Sequence, residues 1–205
     1  MHNDMAGPNP TASVNRPWPK RRDHSDEALI EKVAAGNRLA MQVLFARHHP
    51  RVYRFILRLI GNEAAAEDLT SEVFLSVWRQ AHRFEARSTV TTWLLAIARY
   101  KALAELRRRP DMSSDEENPD ISDPADDPEV ALQSKHRGEI LRDCLTRLSR
   151  EHREIIDLVY YHERSVDEVA TILGVPAATV KTRMFYARKR LGEMLRAAGI
   201  ETMKA

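Results

Sequence analysis

Thr179, Lys181, Thr182, Arg183, Tyr186, Arg188 and Lys189 crowd hydroxyl, ammonium, guanidinium and phenol groups into one short stretch of chain. On a helix, at about 100° per residue, Thr182, Phe185, Tyr186 and Lys189 share one side, flanked by Lys181, Arg183, Arg188 and Arg190. Such groups meet phosphate oxygens and the donor and acceptor edges of bases. Val180, Met184, Ala187 and Leu191 fall on the other side and need an apolar partner. The preceding residues supply one. Ser165 and Glu168 make an S-x-x-E capping box, and Val166, Val169, Ala170 and Leu173 repeat as a buried stripe. Gly174-Val175-Pro176 then ends that helix and starts the next. Residues 165–191 therefore read as a helix-turn-helix that binds DNA. A basic surface hairpin would share part of this pattern, but not the capping box, the Gly-x-Pro turn and the density of cations together.

Two further stretches carry candidate contact groups. In residues 67–82, Leu69, Val73 and Val77 form an inward stripe with Phe74 beside it. Asp68, Glu72, Leu75 and Arg79 fall on another side, which places a leucine inside a charged row. That is the pattern of a protein–protein contact strip, or of a helix buried on two sides of its own domain. In residues 88–109, Ser88 is the expected N-cap, and Val90, Trp93, Leu94 and Ile97 supply the packing face. The remaining positions offer Thr91, Thr92, Arg99, Tyr100, Lys101 and the run Arg107-Arg108-Arg109. Cations interleaved with aromatics suit unpaired nucleic acid, because bases stack on rings while cations follow phosphates. Arginines at a helix C-terminus also favour the helix dipole, and a tryptophan belongs more often to a core than to a base stack.

The formal net charge of +2 conceals segregation. Residues 177–196 hold six Lys/Arg and one acid, and residues 86–109 hold six against one. Residues 110–129 hold nine acids, four prolines and no Lys or Arg. An acidic, proline-rich block cannot bury a core, so it predicts an extended tether between two all-α domains. The expected organisation is a disordered, mildly basic tail over 1–24, a helical domain over 25–109, the tether over 110–129, a second helical domain over 130–197 and a short tail over 198–205. No run of 18 apolar residues and no apolar N-terminal segment is present, so the expectation is an intracellular protein without membrane insertion. Cys144, the chain's one cysteine, excludes an internal disulfide and a cysteine-based zinc site made by one chain. Its neighbours Leu141 and Leu145 favour a buried structural thiol. His48 and His49 are adjacent and point to different sides of a helix, so they make no ready ligand pair, and no metal site is expected.

Taken together, these stretches resemble the sigma-70 family of bacterial RNA polymerase sigma factors, specifically the short extracytoplasmic-function group. EDLTSEVFLSVWR resembles the region that docks on the polymerase β′ coiled coil. FEARSTVTTWLLAIARYKALAELRRR resembles the segment that opens and reads the −10 element. LSREHREIIDLVYYHERSVDEVATILGVPAATVKTRMFYARKRL resembles region 4, which reads the −35 element. Ser71 stands where the family usually has Gln, and Ala86 and Ala178 where it often has Gly.

The resemblance implies a promoter-specificity factor, not an enzyme, with no cofactor and no metal. It implies core-polymerase contacts, to β and β′, through Asp68, Leu69, Ser71, Glu72, Leu75 and Arg79. It implies −10 contacts through Phe84, Arg87, Ser88, Thr91, Thr92, Trp93, Arg99, Tyr100, Lys101, Arg107, Arg108 and Arg109. Contacts at −35 would come from Thr179, Lys181, Thr182, Arg183, Tyr186, Arg188 and Lys189. A cytoplasmic location and control by an anti-sigma factor follow from the same likeness. The acidic tether then either threads the polymerase's RNA-exit path as a nucleic-acid mimic or is a solvated spacer held open by self-repulsion. A free-standing helix-turn-helix regulator is the alternative, but it would need neither the Asp68–Arg79 strip nor the basic helix before the tether. A DNA-processing enzyme would need a preorganised carboxylate or nucleophile cluster, whereas the acids are densest in the tether.

Overall fold

The computed structural model describes residues 25–108 and 128–200, and among these every regular element is helical. The tail 1–24, Arg109, the acidic stretch as far as Asp127 and residues 201–205 lie outside the described residues. The first half comprises α1 (Asp26–Ala34), α2 (Arg38–Ile60), α3 (Glu63–Gln80), a 3-10 turn (Ala81–Arg83) and α4 (Val90–Arg108). Side-chain caps set where these helices begin. Ser25 Oγ accepts from the Ala28 N–H at 3.2 Å, Asn37 Oδ1 from Ala40 at 3.0 Å and Asn62 Oδ1 from Ala65 at 2.9 Å. Before α4 the cap is Thr89, whose Oγ1 accepts from the Thr92 N–H at 3.2 Å. Ser88, expected in that role, lies one residue too early, and its hydroxyl instead donates to the Thr89 carbonyl at 3.4 Å.

Phe55 and Ile56 of α2, Val73 and Val77 of α3, and Leu94 and Leu95 of α4 form the centre of this half. α1 is tied across it by Asp26, which meets Arg47 at 2.5 Å and His48 Nε2 at 2.9 Å. The adjacent histidines part company as expected. His48 is buried, and that burial holds its imidazole below the ordinary value even though Asp26 pulls the other way. His49 faces outward, among Phe45, Tyr53 and Phe74.

The second half comprises α5 (Pro128–Thr146), α6 (Arg150–Ile156), a π-helical turn (Asp157–Tyr161), α7 (Val166–Leu173) and α8 (Ala177–Ala197). Both sides of the expected capping box are made: Ser165 accepts from the Glu168 N–H at 3.3 Å, and Glu168 accepts from the Ser165 N–H at 3.0 Å. Gly174, at φ 66°, ends α7 in the left-handed region that costs glycine nothing. Val169, Ile172 and Leu173 of α7 pack on Val180, Met184 and Ala187 of α8. Cys144 on α5 is 2 % exposed, inside this half.

The halves are not separate bodies in this arrangement, for α4 packs along α7 and buried apolar side chains run as one cluster through both. Thr92 donates to Glu168 Oε1 at 2.7 Å and Thr89 does so at 3.2 Å. Arg99 Nε donates to Glu154 Oε1 at 2.5 Å, and Arg58 pairs with Asp157. Arg58 also lies 4.2 Å from the Tyr161 ring centroid, and Phe55 meets His162 edge-on at 5.4 Å. Glu154 and Asp157 are nearly enclosed, so losing either partner would strand a buried charge. Partial burial pushes the Glu168 carboxyl upward. The Ser165 N–H, the Thr92 hydroxyl, the Arg164 guanidinium and the Ser165 hydroxyl outweigh it and hold that carboxyl at about 2. Among the described residues no helix is long and apolar enough to cross a membrane.

Candidate nucleic-acid interface

α8 separates its residue types by face, as the helical spacing of its apolar positions requires. Val180, Met184 and Ala187 are buried on α7 and α6, leaving Lys181, Thr182, Tyr186, Arg188 and Lys189 exposed and Thr179 and Arg183 partly so. Phe185 and Tyr186 are 63 % and 54 % exposed and meet edge-on at 5.4 Å, an apolar and stacking surface amid the cations. The cations are not equivalent. Arg183 pairs with Glu151 at 3.2 Å and Arg190 with Glu193 at 3.5 Å, whereas Lys181 and Lys189 form no ion pair among the described residues. A shallow cleft of about 570 Å³, lined by Leu148, His152, Tyr186, Lys189, Arg190 and Glu193 among others, lies between α8 and the α5–α6 corner.

The candidate −10 residues divide into three groups. Arg87, Tyr100, Arg107 and Arg108 are exposed, Tyr100 at 71 %. Phe84 and Trp93 are half-buried, 5.2 Å apart and tilted, with Ser88 beside them in the loop. Thr91 and Thr92 are buried and Arg99 is engaged by Glu154, so in this closed arrangement none of the three can touch DNA. The Thr92 hydroxyl and the Arg99 guanidinium serve the seam between the halves. Arg109 lies outside the described residues. Between Phe84 and Ser88, Ala86 adopts φ 53°, the left-handed region that disfavours a Cβ.

On α3, Asp68, Ser71, Glu72, Leu75 and Arg79 all face solvent, and Leu75 is 47 % exposed, while Leu69 is buried beneath them. The helix is thus packed on one side and open on the other, and the reading in which both sides are buried does not hold. Lys101 of α4 reaches Glu72 at 2.9 Å, so a candidate −10 residue and a candidate core-docking residue adjoin. Of the groups that close the seam, sequence reasoning did not single out Arg58, Glu154 or Asp157, and it gave Glu168 only the role of a cap. It also passed over Tyr160, whose hydroxyl contacts α8. The aromatic pair Tyr160-Tyr161, a few residues before the capping box, was the available signal for the latter.

The Sigma-70 region 2 family matches residues 44–110, and the Sigma-70 region 4 family matches residues 138–191. The chain is 30% identical over 178 residues to the ECF RNA polymerase sigma factor SigL of Mycobacterium tuberculosis, covering 84% of this chain and 98% of that one. It is 32% identical over 170 residues to the RNA polymerase sigma factor CarQ of Myxococcus xanthus, covering 81% and 95% respectively. Among solved structures it is similar to the sigma factor RpoE of Bartonella quintana in complex with the anti-sigma factor NepR. That match has a TM-score of 0.56 at 28% identity and covers 74% of this chain and 94% of that one. The fold is also that of CnrH in its complex with the cytosolic domain of CnrY, with a TM-score of 0.62 at 23% identity, covering 84% and 97%.

Proposed function

The chain belongs to the extracytoplasmic-function group of the sigma-70 family of RNA polymerase sigma factors, and from that premise we propose how its surfaces divide the work of initiation. The exposed row Asp68, Glu72, Leu75 and Arg79 on α3, with Ser71 beside it, docks on core polymerase through the β′ coiled coil. α8 enters the major groove at −35, with Lys181, Arg183 and Arg188 on phosphates and Thr182, Tyr186 and Lys189 nearer base edges. The loop from Phe84 to Ser88 and the start of α4 hold an unstacked −10 base, and Arg107 to Arg109 meet neighbouring phosphates. Extruding a base costs a few kcal/mol, offset by stacking and a pocket. The protein acts in the cytoplasm, where the polymerase is. It performs no catalysis of its own, and an anti-sigma factor that covers these surfaces holds it inactive, as NepR is bound to RpoE.

The observation that carries this reading is the coexistence of a solvent-facing acid–leucine strip and a cationic recognition helix on separate halves of one chain. Distance adds a requirement. Elements centred at −10 and −35 lie roughly 85 Å apart at about 3.4 Å per base pair, whereas a closed unit of this size is about 40 Å across. The halves must therefore part, and the stretch between Arg108 and Pro128 can reach at most about 65 Å. Together the span and the tether suffice.

Run-off transcription with purified core polymerase on a genomic promoter library tests the reading. Starts that require this chain and share two spaced elements are expected. Leu75→Asp should abolish those starts while leaving the melting temperature unchanged, because Leu75 is exposed. Tight DNA binding without core and no new starts would overturn the reading in favour of a free-standing regulator.

A further inference from the structure

One contact on the recognition helix is not accounted for by packing. Tyr160 is 53 % exposed, yet its hydroxyl accepts a hydrogen bond from Arg188 Nε at 2.7 Å, and the guanidinium carbon lies 5.6 Å from its ring centroid. Tyr160 stands in the π-helical turn, where the His162 N–H reaches back to the Asp157 carbonyl at 3.1 Å. A π turn takes more residues per revolution than an α turn, so it changes the directions in which consecutive side chains leave the backbone. Here Tyr160 contacts α8 while Tyr161 lies beneath Arg58 of α2.

The neighbouring arginines supply the contrast. Arg183 and Arg190 are held by carboxylates, Glu151 and Glu193, which hold the side chain but also offset its charge. Arg188 is held by a phenol, which is neutral. It is therefore oriented without an offsetting carboxylate, and among the described residues only its Nε edge is used. The two terminal nitrogens remain as a planar fork, the geometry that matches a phosphate. An arginine already in place loses less rotamer freedom on binding.

We propose that Tyr160 is a positioning residue for DNA: it holds Arg188 by its Nε edge so that the guanidinium fork meets a phosphate of the −35 duplex. The proposal rests on the reading that α8 meets DNA, and the test separates the two. The full chain bound to core polymerase is used to recover duplexes from a random-sequence pool, and affinity for a recovered duplex is measured across a salt series. Arg188→Ala should lower the slope of log affinity against log salt by about one phosphate contact. Tyr160→Phe should keep that slope and weaken binding roughly three- to ten-fold at every salt concentration. Arg188→Lys, which keeps the charge but has no Nε edge, should weaken binding similarly. It sits on an exposed face, so it provides a second readout if Tyr160→Phe perturbs folding. In an Arg188→Ala background, Tyr160→Phe should change nothing further.

Equal affinities for Tyr160→Phe and the unaltered chain overturn the proposal, as does an undiminished Tyr160→Phe effect in the Arg188→Ala background. A silent Arg188→Ala also overturns it, while the α8 reading stands if Lys181→Ala and Lys189→Ala still weaken binding. Recovery of no duplex at all removes the reading and the proposal with it.

Discussion

α8 and α4 carry the same kinds of nucleic-acid-binding side chains but present them in opposite ways. On α8 most of the hydroxyls, rings and cations stand in solvent, with Thr179 and Arg183 partly covered, and the apolar side is buried. On α4, Thr91 and Thr92 are enclosed and Arg99 is committed to Glu154, because α2 and α3 cover one side of the helix and α7 the other. In the closed arrangement the proposed −35 surface is displayed, whereas Thr91, Thr92 and Arg99 of the proposed −10 surface are withheld. Parting the halves would release that withheld surface but would strand Glu154, Asp157 and Arg58 unless water or another protein meets them.

The harshest way to break this contrast is Asp157→Ala. It would leave Arg58, whose side chain is 16 % exposed, without its carboxylate and should cost about 3 kcal/mol in urea unfolding. If the loss is below about 1 kcal/mol, the seam is not held by that pair. A change on the other side of the contrast, Lys181→Ala with Lys189→Ala, should leave stability within about 0.5 kcal/mol. The same double substitution should reduce the salt slope of DNA binding by about one, through Lys181 on its phosphate, and weaken binding further at every salt concentration through Lys189 at the base edges.

Acid titration sharpens the contrast, with a smaller effect. The Glu168 carboxyl sits at about 2 in the folded chain against an ordinary 4.5. Its contribution to stability is therefore complete above 4.5 and is lost as pH falls toward 2. The stability difference between the unaltered chain and Glu168→Gln should be constant near neutrality, shrink below 4.5 and vanish only once pH has fallen through about 2. A difference that persists at the acid end would mean that the side-chain amide loses something other than the charged contacts. Smallest of all, Ala86→Gly should raise the melting temperature, stabilising by roughly 0.5–1 kcal/mol, because φ 53° costs a Cβ-bearing residue what it does not cost glycine.

The helix-turn-helix was legible in the sequence because its determinants are local. Ser165 and Glu168 are three residues apart, Gly174 marks its own turn, and Val180, Met184 and Ala187 repeat with the helix. The same holds for the α3 row, where one turn carries Glu72 outward and Val73 inward. The seam was not legible. Thr92 meets Glu168 across 76 residues and Arg58 meets Asp157 across 99, and no periodicity encodes such pairs. Chemical type alone groups Thr92 and Arg99 with the DNA-facing residues, because it cannot tell a group that bonds a carboxylate from one that awaits a phosphate. The cap before α4 differs by one residue for a related reason. Ser88 and Thr89 are both able caps, and the backbone path through the Ala86 turn selects the second.

Cys144, shut inside the second half at 2 % exposure, gives the molecule a chemical clock. A thiol reagent can reach it only during excursions in which the surroundings of α5 open, so the labelling rate counts those excursions. Because the chain has no other cysteine, the count comes from one address and needs no engineered probe. Labelling that quickens when the seam is cut by Asp157→Ala would show the second half drawing rigidity from the first, and an unchanged rate would show it keeping its own.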